Sequence, residues 1–234
     1  MNDKTYTVFN AMTDIVASPA KAFDQIKVHT RWLWWPLLIT ILLSAGMLYY
    51  YFNWVDFSWF VEETIRGMPA ESRAEAAEVT RNFMQPGSTT WMSVGAVVIG
   101  TFVIYAIMAI YFHLANKLTS RAELSYGQWF SFSVWANFVS IFGALAAIVF
   151  ITMSDTNQVS AEALQLTSLN ALFVHAEAGD KWFSMASSFS LITVWTLALM
   201  VIGYTRWTGA STFKSSIIVL LPWVLIYGIW AITV

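Results

Sequence analysis

Three uncharged polar residues sit where apolar sequence surrounds them: His113, Asn116 and Asn137. His113 and Asn116 are three apart, so a helix presents both on one face. At about 1.5 Å per residue, His113 stands roughly 6 Å from Lys117, and Asn137 roughly 10 Å from a helix start near Phe130. A short basic turn, Asn116-Lys117-Leu118-Thr119-Ser120-Arg121, joins the two stretches. His113 and Asn137 can therefore meet at similar depth. Two chemistries fit: a small polar pocket for a headgroup or solute, or an interhelical hydrogen bond worth about 0.6–2 kcal/mol in a membrane. The hydrogen bond is the simpler expectation.

Other chemistry is excluded or thin. The chain has no Cys, which removes disulfides, zinc thiolates and a thiol nucleophile together. His175-Ala176-Glu177 with Asp180 offers three metal-ligand types. Zinc normally takes four ligands in a firmer spacing, so no metal site is expected. HExxH, GxSxG and a phosphate-binding glycine loop are all missing. The expectation is no catalytic residue, no cofactor and no enzyme activity. With a net charge of −2, no basic face invites nucleic acid.

The elements that hold these residues follow from where charge is absent. Only 11% of the 234 residues are charged, against roughly 25% in soluble domains. Asp, Glu, Lys and Arg are missing from residues 32–55, 82–116, 124–154, 182–205 and 215–234. About 20 apolar residues in a helix cross a bilayer core, and a helix satisfies its own backbone there. The predicted fold is therefore an all-α integral membrane protein, a bundle of five transmembrane helices with amphipathic interfacial helices. The predicted spans are about 34–51, 92–115, 130–153, 183–204 and 215–234.

Around the spans, residues 1–31 read as a cytoplasmic amphipathic segment without a cleavable signal. Ser18-Pro19 starts a helix in it, as an N-cap followed by Pro at the first helical position. That segment either lies on the membrane or packs against the ends of the spans. The loop 56–90 holds an amphipathic helix interrupted at Pro69 and a second helix stopped by Pro86-Gly87. The loop 155–181 holds a helix capped by Ser160. Gly95 and Gly100 in the second span permit close helix approach.

Charge also orients the chain. Taking the N-terminus as inside, the inner segments hold eight basic and four acidic residues, and the outer loops four basic and ten acidic. Basic residues concentrate in short cytoplasmic segments. Arg31, Lys117, Arg121, Arg206 and Lys214 are then topology anchors. The N-terminus is cytoplasmic and the C-terminus extracytoplasmic. No charge lies within any span, which disfavours a proton-driven transporter.

Several short motifs resemble the Yip family, the Ypt/Rab-interacting membrane proteins, and in particular its bacterial members. They are Ser18-Pro19 with Phe23 and Ile26, Trp32-Leu33-Trp34-Trp35-Pro36 entering the first span, and Tyr126-Gly127-Gln128 entering the third. Thr212-Phe213-Lys214 with Leu221-Pro222-Trp223 in the fifth completes the set. The resemblance runs from about Val8 onward. It implies five spans, a cytoplasmic N-terminus and, in a bacterium, the inner membrane. In eukaryotic relatives it implies vesicle trafficking with small GTPases. Their Asp-Leu-Tyr-Gly-Pro motif is missing here, which puts GTPase binding in doubt. The functional expectation is a scaffold or adaptor whose partners are membrane lipids, other membrane proteins or a second copy. The alternative is a channel, transporter or lipid-moving protein using the His113, Asn116 and Asn137 cluster.

Overall fold

The computed structural model describes residues 6–68 and 70–233. Pro69, expected to interrupt a helix, lies outside the described residues. The helices are α1 (Val8–Ala17), α2 (Pro19–Val28), α3 (Trp34–Trp54), α4 (Phe57–Arg66), α5 (Ala70–Phe83), α6 (Pro86–Thr119), α7 (Tyr126–Asn137), α8 (Ile141–Met153), α9 (Phe183–Ser188), α10 (Leu191–Thr208) and α11 (Thr212–Thr233). Five helical stretches are long and apolar enough to cross a membrane: Thr30–Trp54, Pro86–Thr119, Tyr126–Met153, Leu191–Thr208 and Thr212–Thr233. The fold is all-α, and among the described residues the one bridge between extended segments pairs Ser168 with Ser190.

The chain forms two compact units. The first comprises Met1–Ile41, Gly100–Ser140 and Thr193–Ile229. Its centre is α7, on which Trp129 and every residue from Ser131 to Ala136 are buried. Ser125 caps this helix: its hydroxyl accepts from the Gln128 N–H, while the Gln128 side chain accepts from the Ser125 N–H at 2.9 Å. This Ser-x-x-Gln box satisfies two orphan donors and starts the helix four residues earlier than the predicted Phe130.

In the same unit, α2 packs against α7. Of the two placements open to the N-terminal segment, α2 thus takes packing against other helices. Ser18 is its N-cap and Pro19 its first helical residue, as predicted, although the Ser18 hydroxyl makes no capping bond. Trp207 donates its indole N–H to the Phe23 carbonyl at 2.8 Å, and Lys27 donates to the Trp207 carbonyl at 2.9 Å.

The second unit comprises Leu42–Ile99, Ile141–Ile192 and Trp230–Val234. Its core gathers Tyr51, Phe52, Phe60, Ile151, Val159 and Leu164. The buried Tyr51 hydroxyl donates to the Val159 carbonyl at 2.7 Å. Asp56 caps α4, accepting from the Trp59 N–H at 3.1 Å and the Gln158 amide at 3.2 Å. Those donors hold its carboxyl below the usual carboxylate range.

Four expectations need correction. Pro86 does not merely stop a helix: α5 ends at Phe83, and Pro86 is the first residue of α6, where its missing N–H leaves nothing unpaired. The stretch 183–204 is not one helix. α9 ends at Ser188, and α10 begins at Leu191. Leu169 N–H bonds the Phe189 carbonyl at 2.7 Å, and Leu191 N–H bonds the Thr167 carbonyl at 2.9 Å. Serines there compete locally for the backbone; the Ser188 hydroxyl donates to the Met185 carbonyl. The helix expected after Ser160 is instead a 3-10 turn at Glu162–Leu164 and a π-helical turn at Asn170–Val174. Finally, a Cβ at Gly95 or Gly100 would meet nothing within 4 Å, so neither glycine marks a close approach.

Candidate functional site

Asn116 is buried at 1% exposure, yet it does not reach another span. Its Nδ2 donates to the Ala122 carbonyl at 2.8 Å, and its Oδ1 accepts from the Ala122 N–H at 3.1 Å. The Arg121 N–H bonds the Asn116 carbonyl at 2.7 Å, and Arg121 takes φ 55°. Asn116 is therefore the lock of the basic turn. The Ala122 carbonyl also accepts from the Leu124 N–H at 2.9 Å, so the Asn116 side chain is the partner of the Ala122 N–H and a second donor to its carbonyl.

The same device recurs in the second unit. Asn170 donates to the Ala176 carbonyl at 3.1 Å and accepts from the Ala176 N–H at 2.8 Å. His175 N–H bonds the Asn170 carbonyl at 2.9 Å, with φ 53° at His175. Both turns read Asn, four residues, a basic or imidazole residue in the left-handed region, then Ala. That repeated spacing is a signal visible in the sequence. It also gives His175 a backbone role, while Asp180 accepts from the Glu177 N–H at 2.9 Å.

Asn137 donates to the Ser133 carbonyl one turn back at 2.8 Å and to Met108 Sδ at 3.6 Å. His113 Nδ1 is buried without a hydrogen-bond partner among the described residues. The three polar residues thus lie in one unit but make no common network. Asn137 bonds its own helix, where Ser and Asn side chains at this depth readily turn.

Among the basic anchors, Arg206 forms a fork with Asp24, and Lys214 donates to the Thr119 carbonyl at 3.1 Å. Asp24 belongs to α2, so Arg206 adds an exposed tie between α2 and α10. Within the N-terminal helices, Lys21 pairs with Asp14 at 2.8 Å, and the Tyr6 hydroxyl donates to the same carboxylate at 2.9 Å. The Lys21 ammonium beside it, more than any other group, holds the Asp14 carboxyl below its usual range. Loss of water contact, reinforced by Asp14, raises the Tyr6 phenol.

The same unit holds an aromatic cluster of Phe23, Phe112, Trp129, Phe132, Tyr204 and Trp207. Trp129 stacks on Tyr204 at 5.5 Å and on Phe112 at 5.8 Å. Phe23 meets Phe132 at 5.5 Å. Offset and edge-on pairs at these spacings each add about 0.5–1.5 kcal/mol beyond burial. Gly203 on α10 sits beneath them: a Cβ there would fall 2.6 Å from Phe132 Cε2 and 2.7 Å from Phe23 Cε1. This glycine, not Gly95 or Gly100, is where backbone and side chains approach closely.

A cavity of about 1170 Å³ in the second unit is built from both loops of that unit. The end of α4 and Met68 contribute to its wall, as do residues 160–163, the π-helical turn, and residues 178–187. A neighbouring groove of about 460 Å³ is lined by Val79, Phe83, Met84, Met92 and Ala96. Arg81 on α5 grips Glu62 on α4 through two bonds of 2.7 and 2.9 Å, which keeps that carboxyl low. The helices expected in 56–90 and 155–181 give no sign of this chamber, because the residues that line it are far apart in sequence.

Comparison with known families gives a match over most of the chain. The model of the Yip1 domain aligns with residues 13–233, nearly the whole chain. No curated protein and no solved structure matches the chain.

Proposed function

The chain belongs to the Yip1 domain family of membrane proteins, and on that premise we propose that it is a non-enzymatic scaffold or adaptor, acting through contacts with lipid and with other membrane proteins. The observation that carries this reading is the exposure of two spans. In α6 and α11 only 11% of the most apolar window is buried, against 44% in Tyr126–Met153. Ile99, Val103, Ile107, Leu114, Val224, Leu225 and Ile229 are all exposed. Contiguous apolar surface of this extent is covered by lipid or by another protein. Meanwhile Asn116 and Asn137 hold the chain's own backbone, which leaves His113 alone of the three to line a transport path.

A photo-crosslinking residue placed at Ile107 or Leu225 in the full chain, in its own membrane, is expected to trap a discrete protein species or a second copy besides lipid. Lipid adducts alone at every such position would overturn the adaptor reading.

The protein is proposed to sit in a bacterial inner membrane with its N-terminus in the cytoplasm. Lys117 and Arg121 in the α6–α7 turn, and Arg206 and Lys214 in the α10–α11 turn, supply the inside charge. A reporter fused after Val234 is expected to work only outside the cytoplasm. Cytoplasmic activity of that fusion would reverse the orientation.

A further inference from the structure

We propose that the chamber of the second unit, together with the groove beside it, binds a single membrane lipid with a zwitterionic aminoethyl phosphate headgroup. Chain and headgroup find different surroundings there. Thr64, Met68 and Met84 line both cavities, so the apolar groove leads into the polar chamber. The groove is bounded by Val79 and Phe83 of α5 and by Met92 and Ala96 of α6. Val79, Phe83 and Met92 are exposed. Met92 and Ala96 belong to a helix apolar enough to span the membrane, so an acyl chain can enter the groove from the bilayer. Three methionines among the walls suit a flexible chain of variable shape.

The chamber has the opposite character. Glu63, Glu71, Glu162, Asp180 and Lys181 line it. Glu63 is paired with Arg66 at 2.6 Å, whereas Glu71 and Glu162 have no salt-bridge partner among the described residues. Ser187 is only 5% exposed and lines the chamber, and its hydroxyl has no hydrogen-bond partner among the described residues. Ser168, 1% exposed, accepts from the Ala171 N–H and keeps its own O–H to donate. An ammonium matches Glu71 and Glu162. Lys181 and the two serine hydroxyls match a phosphodiester and its ester oxygens. A purely anionic headgroup would face excess carboxylate, and such like-charge placement discriminates strongly. The chamber's volume is of the order of ordinary ligand sites, and Asn170 and Ala171 of the π-helical turn form part of its wall.

The site does not depend on the adaptor reading, and the two fail separately: one loses protein cross-links, the other lipid selectivity. The test takes the purified full chain from vesicles of equimolar phosphatidylethanolamine and phosphatidylglycerol, and measures by native mass spectrometry the lipid that stays bound. The expected result is enrichment of phosphatidylethanolamine by about fivefold or more, the factor that roughly 1 kcal/mol of differential binding gives. Glu71→Gln with Glu162→Gln is expected to abolish the preference. Met84→Trp, which fills the junction of groove and chamber, is expected to abolish retention of either lipid. Should Met84→Trp fail to fold, the Gln pair decides alone, since both residues are exposed. Equal retention of the two lipids by the parent chain, preference for phosphatidylglycerol, or selectivity unchanged in the Gln pair would each overturn the proposal.

Discussion

Gly203→Val is expected to destabilise the protein by about 3 kcal/mol or more and to release α2 from the rest of its unit. The first atom added, Cβ, already falls 2.6 Å from Phe132 and 2.7–2.8 Å from Phe23. Both rings are completely buried, and both lean on Trp207, so neither can swing aside without disturbing the cluster. Extra methylenes in a packed core cost about 1–3 kcal/mol and sometimes more, and valine adds three carbons. Helix propensity acts the other way by a few tenths of a kcal/mol, since Val is a somewhat better helix former than Gly. Packing therefore decides the sign. Thermal unfolding in detergent measures the loss, and limited proteolysis around Lys21 and Lys27 reports the release of α2. Gly100→Val is the control: its Cβ would meet nothing within 4 Å, and the expected change is within about 0.5 kcal/mol. A Gly203→Val protein as stable and as protected as its parent would disprove this account of the cluster.

Asn116→Ala is expected to cost about 1–3 kcal/mol. It removes two hydrogen bonds to Ala122 at once. The Ala122 carbonyl keeps the Leu124 N–H at 2.9 Å, so the Ala122 N–H is the group left unpaired, at about 1–3 kcal/mol where water is excluded. Asn116→Asp keeps the acceptor and loses the donor, and should fall between the parent and Asn116→Ala. Arg121 holds φ 55°, a left-handed conformation that glycine adopts without strain. Arg121→Gly is accordingly expected to recover part of the loss in the double variant. If Asn116 instead lined a functional path, its replacement would change transport with little change in melting temperature. Melting curves of the three variants separate those outcomes.

Much of this architecture is legible in the residue order, for one physical reason. A charged side chain at membrane depth is so unfavourable that its absence over 20 or more residues is informative on its own. The five charge-free stretches therefore locate the five long helices, and Ser18-Pro19 locates the start of α2. The Yip1 domain match over residues 13–233 agrees with the resemblance seen in short motifs such as Trp34-Trp35-Pro36. Helix starts were less exact where the signal was a cap rather than hydropathy. Ser125-x-x-Gln128 moves α7 back to Tyr126, and Pro86 opens α6 well before the first strongly apolar residue.

Residue order thus settles how many segments can cross a membrane and roughly where they turn. Folding alone settles the partner of each polar group and the space beside each glycine. Asn116 can bond a facing span or its own turn, and composition prices both alike; folding of the Asn116–Ala122 turn selects the second. Gly95, Gly100 and Gly203 are identical as letters. They differ because only Gly203 has the rings of Phe23 and Phe132, contributed by α2 and α7, standing within 3 Å of its missing side chain. The chamber of the second unit likewise exists only where α4, the start of α5 and Met84 meet residues 160–187. Its walls lie about a hundred residues apart in sequence, beyond the reach of any local pattern.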